Sequence, residues 1–159
     1  MKKQKTKRIK LPSIKKLKKQ LWELCRNIAL IKYDSTCMLC GKKNGENYIN
    51  KAGKTCKTVL SCHHFIHNDH NSSKYRFVVL NICPVCYTCH IRKIHEQSSY
   101  KIIDELIQNV LEKGLITEQQ LKEIAEDPDY MSVDCDNRVW LNEQIELRKK
   151  ELQELQNIK

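Results

Sequence analysis

The sequence predicts an α+β chain: a small zinc-stapled module of short strands and one helix, flanked by N-terminal and C-terminal helices. Three observations predict it. Apolar residues recur at helical spacing before residue 33 and again after residue 90. Between those segments lie two short runs rich in β-branched and apolar residues, 58–65 and 75–80, which read as strands. Two Cys-x2-Cys pairs, Cys37/Cys40 and Cys86/Cys89, bracket the runs. Such a pair puts two thiolates on one side of a tight loop, and two pairs complete a tetrahedral zinc site. The cysteine-rich part, 33–112, is close to the size of about 70–80 residues below which a core needs a staple.

The elements follow in order. Residues 1–12 are a basic, flexible arm. Ser13, after Pro12, is placed to cap a basic amphipathic helix over 13–33. Ile14, Leu17, Leu21, Leu24, Cys25, Ile28 and Ile31 form its apolar stripe. Lys15, Lys16, Lys18 and Lys19 fall mostly off that stripe and are candidate DNA-binding residues. The stapled module covers 34–114. Within it, 42–57 reads as a loop or loose hairpin and 67–74 as a polar turn. A helix is expected from near His90 to about Glu112, broken near 97–99, with Gly114 just past its end. Residues 115–159 are an acidic helical extension. Thr117 and Gln120 have capping-box spacing and open a short helix to about Glu126, which Asp127-Pro128-Asp129 ends. The last helix, 137–158, carries Leu141, Ile145, Leu152 and Leu155 near heptad spacing, interrupted at Arg148. That pattern suits either a homodimer contact or docking on its own domain.

The formal net charge is +10, and it is unevenly placed. Residues 1–19 hold ten Lys/Arg and no Asp or Glu. Residues 1–103 carry 22 basic and 5 acidic side chains, whereas 104–159 carry 7 and 14. The module half is thus basic, as a surface for nucleic-acid phosphates is. No apolar run approaches the about 18 residues of a membrane span, so no membrane partner is expected. No signal segment is visible, and the chain reads as cytoplasmic. In that compartment Cys-x2-Cys pairs are metal ligands before they are disulfides.

One choice within the cysteines stays open. Cys83, Cys86 and Cys89 offer two overlapping Cys-x2-Cys pairs. Cys86 and Cys89 are preferred because His90 then follows the knuckle at the head of a helix. Cys62 and Cys83 then read as buried thiols, and the alternative is a site using Cys83 or a histidine. The gap of 45 residues between Cys40 and Cys86 exceeds that of a simple zinc ribbon. Something useful is expected to be built inside it.

His63-His64, Asn81 and Cys86-x2-Cys89-His90, in that order within 36–97, resemble the HNH, or ββα-metal, nuclease motif. Cys62-His63-His64-Phe65-Ile66 and Asn81-Ile82-Cys83-Pro84-Val85-Cys86 are similar to the phage NinG/Rap recombination endonuclease family. So is Leu11-Pro12-Ser13-Ile14-Lys15-Lys16-Leu17-Lys18 ahead of them, and the resemblance covers about residues 8–110. It implies that 34–114 is a zinc-stapled HNH nuclease domain. It makes His64 the general base and Asn81 the brace of the loop that aims it. His63 and His90 become ligands of a catalytic Mg²⁺ or Mn²⁺, beside a structural Zn²⁺ on the four cysteines. It also implies a branched DNA substrate (a four-way junction or displacement loop) in a phage-infected cell, where recombination machinery is a possible protein partner. The chemistry agrees, because phosphodiester cleavage needs a proton acceptor, a cation on the phosphate and fixed geometry.

Departures from the motif bear on details. Many HNH motifs have Asp where His63 stands, and a histidine ligand favours Mn²⁺, Ni²⁺ or Zn²⁺ over Mg²⁺. His95 lies five residues from His90, which on an α-helix is about 140° around the axis, so it is expected to point elsewhere. His67 and His70 read as solvated turn residues. Arg92 and Lys93, on the first turns of the helix, are candidate phosphate contacts. Two other readings use the same sequence: an HNH nuclease that nicks or cuts ordinary duplex, and a non-catalytic DNA-binding zinc module.

Overall fold

The structure is a computed structural model, described for residues 11–65, 74–96, 100–126 and 135–158. Most of the basic arm, the polar turn with His67 and His70, the break at 97–99 and the Asp127-Pro128-Asp129 stop lie outside those residues.

Helix α1 spans Ile14–Lys32, and the Ser13 side chain caps it by accepting from Lys16 N at 3.3 Å. The stripe read from the sequence is the face it buries: Leu17, Leu21, Cys25, Ile28 and Ala29 are enclosed. Cys25 is therefore a core thiol, pushed up to about 12 by burial. The helix ends through two non-glycine residues in the left-handed region, Asp34 and Ser35, at φ 49° and 48°. Each costs on the order of 1 kcal/mol, and together they turn the chain into the first cysteine knuckle. Gly41, at φ 71°, closes that knuckle, with its N–H donating to Cys37 O at 2.9 Å.

The Lys- and Asn-rich loop is a hairpin. β1 (Asn47–Ile49) pairs antiparallel with β2 (Thr55–Lys57), and Asn50 Oδ1 organises the turn by accepting from Ala52 N and Lys54 N. β3 (Leu60–His64) then pairs antiparallel with β4 (Ile82–Cys86), with Leu60 opposite Cys86 and His64 opposite Ile82. A helix over Cys89–Glu96 follows directly. Two antiparallel strands and a helix thus form the centre of the molecule.

The second strand is not where the sequence analysis placed it. Residues 75–80 lie in two 3₁₀ turns, Lys74–Phe77 and Val79–Asn81. Their apolar side chains answer to burial rather than to sheet pairing: Tyr75, Phe77 and Val79 are buried, and these turns pack on α1. The strand itself begins at Ile82 and contains Pro84, a residue that argues against a strand when read from sequence alone.

Helix α2 (Tyr100–Glu112) buries Leu106 and Val110, and Gly114 follows it at φ 66°. The expected capping box opens α3 (Glu118–Glu126). Gln120 N donates to Thr117 Oγ1 at 3.1 Å, and Thr117 N donates to Gln120 Oε1 at 2.9 Å. Helix α4 (Arg138–Asn157) is capped by Asn137 and packs along α1. Leu141 and Ile145 are buried there, and Leu152 and Leu155 pack against the same core. Lys32 and Arg148 both reach Glu151, at 2.8 and 2.6 Å. Of the two readings of this helix, docking on its own domain is the one observed. Leu141 and Ile145 of the heptad seam are thus covered within the chain, and Leu152 and Leu155 are covered in part.

Candidate metal centres and active site

The two cysteine knuckles meet. The sulfurs of Cys37, Cys40, Cys86 and Cys89 all lie within 4.8 Å of one another, a set able to hold one metal ion such as zinc. Backbone geometry serves the sulfurs. Cys86 N donates to Cys37 Sγ at 3.2 Å, and Cys89 N donates to Cys86 Sγ at 3.4 Å. The Cys37 thiol is held far below its ordinary value, first by a hydrogen bond from the Cys89 thiol, while Cys89 is raised by the same bond. Without a cation, one thiolate leans on its neighbour's proton. A dication held there would replace that proton and stabilise all four sulfurs together.

Cys83 is not part of this set. It sits on β4 opposite His63, fully buried, and burial raises its thiol well above the usual range. Cys62, also off the cluster, is pushed up to about 11 by burial. The preference for Cys86 and Cys89 over Cys83 matches the geometry.

A second cluster forms one step along the chain. Strand alternation sends Ser61 and His63 to the face of β3 that meets the helix after the knuckle. His90, directly after Cys89, and His95 project from that helix, and the ligand nitrogens of His63, His90 and His95 lie within 4.8 Å of one another. His90 Nε2 and His95 Nε2 are 3.1 Å apart. Two nitrogens on one tetrahedral zinc would be roughly 3.3 Å apart. The three rings grade from buried His63 to exposed His95, so the cluster opens to solvent on one side. That leaves room for water or a phosphate oxygen.

His95 is a correction to the sequence analysis. The 140° separation from His90 assumed α-helical turns. The helix over Cys89–Glu96 is a π-helix, whose i→i+5 hydrogen bonds widen the turn and bring positions five apart toward one face. The His90-x4-His95 spacing was therefore the signal, legible only with that turn in mind.

Nothing in the sequence singles out Ser61. Its Oγ lies 3.1 Å from Val85 O and 3.0 Å from His90 Nδ1. A carbonyl only accepts, so the one hydroxyl proton goes to Val85 O, and Ser61 Oγ accepts from His90 Nδ1–H. That fixes the tautomer and turns a lone pair on His90 Nε2 toward His95. Burial first, then the nearby His95 and His64, lower the His90 pKa, which favours the neutral ring that metal ligation requires. Ser61→Ala is expected to weaken metal binding at the histidines by about 10–100-fold, read by metal titration, with the four-cysteine site unaffected.

His64, the last residue of β3, turns toward α1 and still lies near enough to His90 for its charge to lower that ring's pKa. Its ring stacks on Trp22, with centroids 5.1 Å apart, and its Nε2 is 3.2 Å from Arg76 O. The carbonyl only accepts, so Nε2 carries the proton and Nδ1 is the basic nitrogen. Asn81 is completely buried and donates from side-chain Nδ2 to Tyr75 O at 3.2 Å, while its backbone carbonyl accepts from Phe65 N at 3.1 Å. It therefore ties the residue after His64 to the residue before Arg76. Asn81→Ala removes the side-chain donor to the Tyr75 carbonyl, which keeps Val78 N at 3.3 Å, and is expected to cost about 1 kcal/mol, read as a lower urea midpoint.

The candidate DNA-binding residues divide. Lys15, Lys16 and Lys19 are exposed on α1, whereas Lys18 pairs with Asp136 at 2.7 Å and is turned toward the extension. Arg92 is exposed and Lys93 half-buried, both on the π-helix between His90 and His95. No helix among the described residues is long and apolar enough to cross a membrane. No family model, curated protein or solved structure matches the chain.

Proposed function

We propose that the chain is a metal-dependent DNA endonuclease of the HNH type that cuts branched recombination intermediates in a phage-infected cell. The observation that supports this reading best is the corner between β3 and the π-helix. There three imidazoles converge, and the adjacent His64 is oriented by the Arg76 carbonyl. His63, His90 and His95 would hold the cation, which supplies positive charge to the scissile phosphate and the leaving oxygen. His64 Nδ1 takes the proton from the attacking water. The water oxygen bonds to phosphorus, the P–O bond to one sugar oxygen breaks, and that oxygen leaves with the electron pair. Asn81 acts as a positioning residue through the Tyr75–Arg76 backbone. Three imidazoles are a softer donor set than the two expected from sequence, and they favour Mn²⁺, Ni²⁺ or Zn²⁺ over Mg²⁺.

The test is cleavage of a labelled four-way junction beside a linear duplex of the same sequence, each with several divalent cations. Preferential cutting of the junction supports the branched-DNA reading. Equal cutting of both keeps the HNH chemistry and moves the substrate to ordinary duplex. Binding without cutting under every cation would leave a DNA-binding zinc module.

A further inference from the structure

We propose that the cleft between the second cysteine knuckle and the β1–β2 hairpin binds unpaired nucleotides of a DNA strand. This deepens the DNA reading of the histidine site and rests on it. The cleft has a volume of about 840 Å³. Beside Cys40, Cys86 and Cys89 of the metal set, its lining includes Lys42, Lys51, Lys57, Arg92 and Lys93 and no carboxylate. The same lining includes Ile49, Val59 and Tyr87, which are 75%, 62% and 66% exposed. They are three of the seven large apolar side chains exposed among the described residues. Lys42 Nζ lies 4.6 Å from the centre of the Tyr48 ring, another wall of the cleft.

The combination selects the ligand. A duplex hides its base faces in the stack and offers the protein phosphates, for which cations alone suffice. An unpaired strand offers phosphates and flat base faces together, and proteins meet it with a basic groove that carries aromatic platforms. An acidic peptide would account for the five cations but leave the exposed Tyr87, Ile49 and Val59 without a role. Arg92 and Lys93 also connect the cleft to the histidine cluster, because they lie on the same helix between His90 and His95. A branch point supplies what this arrangement takes, unpaired nucleotides next to a phosphodiester to be cut.

The test uses the full chain with its zinc, in a His64→Ala background so that nothing is cleaved. Fluorescence anisotropy measures the affinity for a labelled oligothymidylate and for a fully paired duplex. Tyr87→Ala is expected to weaken oligothymidylate binding about tenfold or more, with Tyr87→Phe retaining it and duplex affinity changing less than about twofold. Tyr87 follows the zinc-set residue Cys86, so Ile49→Ala on the hairpin side serves as the second variant. It is expected to weaken the single strand selectively as well. An unchanged single-strand affinity in both variants would overturn the proposal, as would an equal loss for duplex. So would an oligoglutamate that binds as tightly as the oligonucleotide with the same Tyr87 dependence. Binding is read without cutting, so failure of the cleft and failure of the nuclease reading are separate results.

Discussion

Stripping the metal from the four cysteines, or replacing Cys86 with alanine, is expected to abolish the cooperative thermal unfolding transition. Cys37, Cys86 and Cys89 are 1%, 6% and 3% exposed, and they join the α1–knuckle turn to the end of β4 and the start of the π-helix. Structural zinc contributes about 10–16 kcal/mol in small domains. Whole domains are stable by about 5–15 kcal/mol. Loss of the cation therefore exceeds what the rest of the core can offset. Circular dichroism with and without a chelator measures the effect, with Cys56→Ala as a control, since Cys56 lies on β2 away from the cluster. A chelated sample that melts like the untreated one would contradict this.

His64→Ala is expected to lower cleavage by about 10²–10⁴-fold, the usual contribution of a positioned acid–base group. The loss should come with a native melt and unchanged metal content. His64 is half-buried and stacked on Trp22, and removing it opens no position in the core. It also leaves the nitrogens of His63, His90 and His95 in place. The effect should therefore fall on the rate of the chemical step and persist at any cation concentration. Single-turnover cleavage with enzyme in excess reads that step directly.

Much of this arrangement was legible in the sequence for identifiable reasons. The α1 stripe, the Ser13 cap and the Thr117–Gln120 box are local patterns, and each forms as local chemistry dictates. The four-cysteine set was legible because thiolate spacing is set by the metal rather than by the fold. What could not be read depended on tertiary context. Residues 75–80 have strand-like composition but fold into turns because α1 buries them, and β4 was masked by Pro84 and by its own cysteines. His95 was lost to an assumption about helix pitch. Ser61 and the Arg76 carbonyl are ordinary groups until the strands place them against His90 and His64. Heptad spacing left open what the apolar side of α4 packs on, and α1 offers one apolar partner within the chain.

The rate of DNA cleavage as a function of Mn²⁺ concentration, compared among the wild type, His95→Ala and His64→Ala, separates a metal ligand from a base. A ligand and a base fail differently. His95→Ala keeps two of the three imidazoles, so its activity is expected to return as the cation is raised. His64→Ala is expected to stay about 10²–10⁴-fold below the wild type at every concentration. Full activity in His64→Ala, or wild-type cutting that needs no added or bound divalent cation, would contradict the account.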